Sequence, residues 1–149
     1  MRNHQGFTLI EMLLVLMVLS FFTICPVVIL SKWQKGTQVT HCLNQFERYY
    51  HRTQQSAVLT KRQTKIEFSD LKQEIIFTYY QNQQTHTKKL TLPADLRLLN
   101  NQMVMFLESG SLTKICQLNF QDRTQTPVRL ITYQVQIGSG KLVRVDGKS

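Results

Sequence analysis

The sequence predicts an α+β protein in which a long N-terminal helix lies on an antiparallel β-sheet. Three observations predict it. An apolar run opens at Phe7 and continues almost unbroken to Leu30. A helical stripe then follows, with Val39, Leu43, Phe46, Tyr50 and Ala57 at helical spacing and Thr53 in the missing step. Past Lys61 the period changes to two, and β-branched and aromatic residues become frequent.

The first element is the apolar run. Phe7 to Leu30 holds 24 residues, which as a helix rises about 36 Å, enough for a hydrocarbon core of about 30 Å. A secretory signal peptide fits less well, because such apolar regions are shorter and end in a small-residue cleavage site. This run ends in Ile29-Leu30-Ser31-Lys32-Trp33, with the Trp where an interfacial anchor would sit. The division expected is a leader at 1–6, a membrane-spanning helix at 7–30 and an exported domain at 31–149. Flanking charge does not orient the span, since Arg2 stands against Lys32 and Lys35. The shortness of the leader places the N-terminus in the cytoplasm and the large polar remainder outside.

The stripe from Val39 to Ala57 extends the helix to about Thr60, giving one helix of roughly 80 Å if straight. Pro26 should kink it, and Gly36 is a second soft point. Strands are expected at Lys65–Phe68 and Glu74–Tyr80, followed by a turn at Gln81–Gln84 and a strand at Lys88–Leu92. Pro93-Ala94-Asp95 breaks that strand. Short candidates follow at Leu96–Leu99 and Met103–Leu107, then stronger ones at Cys116–Phe120 and Val128–Ile137. Gly138-Ser139-Gly140 reads as a hairpin turn, because glycine accepts positive φ, with Lys141–Val145 returning. The sheet should then have four to seven strands.

The chemistry of a catalyst is missing from the pattern. His41 and His51 are ten apart and fall on different helix faces, not at the i, i+4 spacing of a zinc site. His41 and Cys42 are adjacent and diverge on a helix, poor geometry for a nucleophile and its base. The sequence therefore predicts no enzyme, no cofactor and no metal site. Cys25 lies in the apolar run, whereas Cys42 and Cys116 would both be exported and could form a disulfide or remain two thiols. Net charge is +9, which suits DNA, anionic lipid or an anionic cell wall. Should the exported domain grip DNA, the contacts would be Lys61, Arg62, Lys65, Lys88 and Lys89.

Glu11 is the one charge between Phe7 and Leu30. An isolated carboxylate in hydrocarbon is costly and normally has a partner, and the segment offers none. Were the chain cut after Gly6, the new amine at Phe7 would need a counter-charge of its own. Between parallel, axially staggered helices, Glu11 of one chain could meet the Phe7 amine of the next, neutralising both only on assembly.

Gly6-Phe7-Thr8-Leu9-Ile10-Glu11-Met12-Leu13 resembles the class III signal sequence of type IV pilins and pseudopilins. The resemblance implies cleavage between Gly6 and Phe7 by a membrane-embedded prepilin peptidase, N-methylation of Phe7, and an assembly contact at Glu11. Thr53-Gln54-Gln55-Ser56-Ala57, Gln63-Thr64-Lys65-Ile66-Glu67-Phe68 and Ile137-Gly138-Ser139-Gly140-Lys141 look like the D-type minor pseudopilins of the Gram-positive competence operon. That implies a subunit of a competence pseudopilus required for DNA uptake in transformation. Its implied partners are the major and other minor pseudopilins, with an assembly ATPase and a polytopic membrane platform. It would be held first in the cell membrane and later at the cell surface. A minor pseudopilin of a secretion or adhesive pilus system is the alternative. Family helices often carry a proline near mature position 22, and Pro26 would here be position 20, so the bend is expected to be displaced.

Overall fold

The computed structural model describes residues 9–112, 114 and 116–146, and within them the side chains of all but 21–32 and 146. Helix α1 runs Leu9–Thr60 and is assigned without a break through Pro26 and Gly36. Among the described residues eight strands follow: β1 Thr64–Ser69, β2 Glu74–Gln81, β3 Gln84–Thr91, β4 Leu96–Leu98, β5 Gln102–Phe106, β6 Cys116–Asp122, β7 Arg129–Val135 and β8 Leu142–Asp146. The chain divides into two compact units, residues 1–35 and 36–149. Among the described residues no helix is long and apolar enough to cross a membrane. The span expected at 7–30 includes residues 7 and 8 and the side chains of 21–30, which lie outside the described residues.

In the second unit the strands form two antiparallel four-stranded sheets, ordered β3-β2-β1-β5 and β4-β6-β7-β8. The long helix on antiparallel sheet is thus present, but the single sheet of four to seven strands is corrected to eight strands in two sheets. The chain crosses between sheets at β4 and β5. These consecutive strands pair with β6 and β1 respectively, not with each other.

Alternation builds the inner faces. In β1 the residues Thr64, Ile66 and Phe68 are buried while Lys65, Glu67 and Ser69 are half-exposed, the period of two that a pleated strand imposes. In β6, Cys116, Leu118, Phe120 and Asp122 do the same. The helical stripe fills the space between: Val39, Leu43, Phe46, Tyr50, Thr53 and Ala57 are all buried. Phe46 reaches both sheets. Its ring lies 6.0 Å from Phe68 and 6.2 Å from Phe77 on the first, and 5.6 Å from Phe120 and 5.3 Å from Tyr133 on the second. These edge-on and tilted contacts are the geometries that aromatic quadrupoles favour.

Both turns expected from sequence form, the first narrower than Gln81–Gln84 because Gln81 and Gln84 belong to the strands. Asn82 and Gln83 adopt φ of 51° and 63° between β2 and β3, the two-residue turn whose twist matches paired strands. Gly138 and Gly140 have φ of 81° and 63° between β7 and β8.

Candidate functional site

Gly6 and Phe7, the expected cleavage and methylation residues, lie outside the described residues. Glu11 stands in the first turn of α1 and is exposed. Around it Leu9, Ile10 and every residue from Met12 to Leu19 is exposed as well. An apolar surface running round a helix for three turns is not a stable surface in water, and it marks a segment completed by something outside its own chain.

The second half of the helix is completed from within, and polar side chains fix how. Ser56 Oγ donates to Tyr80 O at 2.7 Å and accepts from Tyr80 N at 2.9 Å. Strand β2 runs three residues past the last residue that β1 pairs with, Thr78, and Ser56 satisfies the backbone left over at Tyr80. Gln54 Nε2 donates to Gly110 O at 3.0 Å and to Ser139 O at 2.8 Å. Tyr50 donates its hydroxyl to Gly140 O at 2.9 Å, and Tyr133 donates to Glu47 Oε1 at 2.7 Å. The loops at 107–111 and 136–141 are thereby tied to one helix face. Sequence periodicity does not reveal Gln54 or Ser56, because each is a polar residue beside the apolar stripe. Their one sequence signal is membership in the Thr53–Ala57 segment quoted for the resemblance.

The five basic residues considered for DNA are not brought to one face. Lys65 and Lys89 stand on the outer face of the first sheet, each against a carboxylate: Glu67 at 2.9 Å and the buried Glu74. Lys88 projects to the opposite face, its ammonium 6.0 Å from the Tyr49 ring. The Arg62 guanidinium covers Tyr80 at 5.3 Å, and Lys61 adopts φ of 51° where the chain leaves the helix.

Cys42 and Cys116 are both buried and are free thiols, so the disulfide considered for them is not formed. Burial pushes both thiols up from 9.0 to about 11, the nearby Lys114 opposing this at Cys116. They therefore stay protonated and unreactive at neutral pH. Cys116 Sγ donates to Gln102 Oε1 at 2.6 Å. The histidines serve separate contacts: His41 with Gln45, His51 edge-on to Tyr50, and His86 stacked on Tyr79. Among the described residues no three His, Cys, Asp or Glu side chains gather as a metal site.

Residues 1–24 match the family model of the prokaryotic N-terminal methylation motif. The chain is similar in structure to the minor pseudopilin EpsH from the Type 2 Secretion System of Vibrio cholerae, with a TM-score of 0.57 and 17% identity over 73% of this chain and 97% of that one. The fold is that of a pseudopilin. No curated protein sequence is significantly similar to the chain. The motif covers the expected cleavage residues and Glu11, while the structural likeness, at such identity, is one of fold.

Proposed function

We propose that this chain is a minor pseudopilin, a structural subunit and not an enzyme. It is cut between Gly6 and Phe7 by a prepilin peptidase, methylated at Phe7, held in the membrane and then drawn into a pseudopilus with other pseudopilins. One observation carries the reading: the methylation motif, residues 1–24, includes a helical segment whose apolar residues, Leu9 to Leu19, are exposed around a single carboxylate, Glu11. Lipid covers such a segment before assembly and neighbouring helices cover it afterwards. In the second setting the Phe7 amine of an adjacent subunit neutralises Glu11.

The experiment is mass and N-terminal sequence of the protein from membranes and from sheared surface material. Gly6→Ala should abolish the shift to a mature chain beginning at Phe7, and normal maturation would refute the site. Glu11→Ala should mature normally yet be depleted tenfold or more from sheared filaments; undiminished incorporation would remove the assembly role.

The filament we propose is a competence pseudopilus serving DNA uptake. The resemblance of Thr53–Ala57 and Ile137–Lys141 to competence subunits supports this, and those segments supply Gln54, Ser56 and Gly140 to the ties described above. A secretion pseudopilus is the second reading, favoured by the fold likeness to EpsH. Deleting the chain separates them: loss of transformation with secretion intact supports the first, and the reverse supports the second.

A further inference from the structure

Strand β3 forms one edge of the first sheet, and its hydrogen-bonding direction can be assigned. In a two-residue hairpin the residues flanking the turn, here Gln81 and Gln84, bond each other, and bonded and non-bonded pairs then alternate. Gln84, His86, Lys88 and Leu90 therefore bond to β2, and Thr85, Thr87 and Lys89 turn their N–H and C=O groups outward. An independent contact agrees. Tyr80, the register partner of Thr85, uses its N–H and C=O on Ser56, on the side away from β3. Among the described residues no backbone group bonds the outward edge of β3.

The edge lacks most of what keeps edges from pairing. It is eight residues long, in unbroken register, without proline or bulge, and rich in threonine. The one protective feature is charge. Lys88 and Lys89 are exposed and project to opposite faces, His86 lies near them, and β3 carries no acidic residue. A second copy pairing antiparallel along β3 would bring these cations together in a chain already at +9. The same charges favour a strand of opposite sign.

We propose that β3 is a docking edge for an extended acidic segment of another protein, added antiparallel or parallel to β3 through the backbone of Thr85, Thr87 and Lys89. Two successive carboxylates in that segment suit the edge, because successive side chains of a strand point to opposite faces, as Lys88 and Lys89 do. Lys89 is partly neutralised by Glu74, so Lys88 is the stronger selector.

The test uses the full chain in detergent micelles and two capped eight-residue peptides of threonine and valine, one with two central glutamates and one with two central lysines. Amide exchange is read residue by residue. The glutamate peptide should slow exchange at Thr85, Thr87 and Lys89 at least tenfold, and the lysine peptide should bind at least tenfold more weakly. Lys88→Glu should reduce or reverse that preference; Lys89 is left in place, since its loss would strand the buried Glu74. Thr87→Pro removes an outward N–H while sparing the bonds to β2, and it should abolish binding of both peptides. Unchanged preference in Lys88→Glu overturns the proposal, and so does protection confined to residues outside β3. Should Thr87→Pro disturb the domain, Lys88→Glu decides alone. If a short DNA duplex binds this face, weakens in Lys88→Glu and is indifferent to Thr87→Pro, the edge is a phosphate-binding surface and the proposal falls.

Discussion

Two stretches of one helix meet opposite fates. From Leu9 to Leu19 the apolar side chains are exposed on every side, whereas from Val39 to Ala57 they form one stripe and that stripe is buried. The earlier stretch lacks a polar face, so no arrangement of its own chain could bury it on one side and solvate the other. The later stretch carries its polar residues between the stripe positions and finishes a core with two sheets. The same helix thus contributes a part that completes a folded core and a part whose apolar surface its own chain leaves open. Substitutions in the later part should be read as stability, and substitutions in the earlier part as membrane or assembly behaviour.

Phe46 is the residue on which the buried stretch depends most. Its ring meets Tyr50, Phe68, Phe77, Phe120 and Tyr133, so removing it opens a cavity where helix and both sheets converge. Phe46→Ala should lower domain stability by about 3–5 kcal/mol, read from denaturant unfolding through the near-ultraviolet dichroism of the buried tyrosines. A loss below about 1 kcal/mol would mean that the sheets hold together without the helix.

That prediction rests on a position the sequence displayed openly. All six stripe residues read from spacing are buried, because a helix packed on one side imposes a period that survives any detail of tertiary structure. Most strand positions were legible for the same reason, although β3 begins at Gln84 and not at Lys88, because its first half is polar and carries no apolar alternation. The division into two sheets was not, since it depends on β1 choosing β5 and β6 choosing β4, and alternation says which face is apolar but not which strand is the neighbour. The candidate site divides similarly. The leader motif and Glu11 are local and stand in the sequence, whereas Gln54 acts as a loop tie only through carbonyls 56 and 85 residues away. The basic residues were visible too, but composition could not show that Lys65 and Lys89 were already spent on Glu67 and Glu74.

The loops tied to the buried stretch of the helix are less sensitive. A Cβ on Gly140 would stand 2.5 Å from Gly110 O and 2.6 Å from Gln54 Nε2, while one on Gly138 meets nothing within 4 Å. Both have positive φ, so backbone strain is common to the two and crowding is not. Gly138→Ala should cost about 1 kcal/mol, and Gly140→Ala about 2–3 kcal/mol by the same unfolding measurement. Equal costs would show that the loop moves off the helix freely, and that Gln54 does not hold it.

Leu14 is exposed in the apolar stretch and makes no contribution to the core cluster of residues from Val39 onward. Leu14→Ala should therefore leave domain unfolding within about 0.5 kcal/mol of the parent, although it removes more apolar surface than many core substitutions do. Retention in membranes or sheared filaments should fall instead, because there the leucine is buried by lipid or by a neighbouring helix. A shift in domain unfolding approaching that of Phe46→Ala would mean that the stretch folds back on its own chain. Glu11 would then be a surface carboxylate on an ordinary helix, with no amine to wait for.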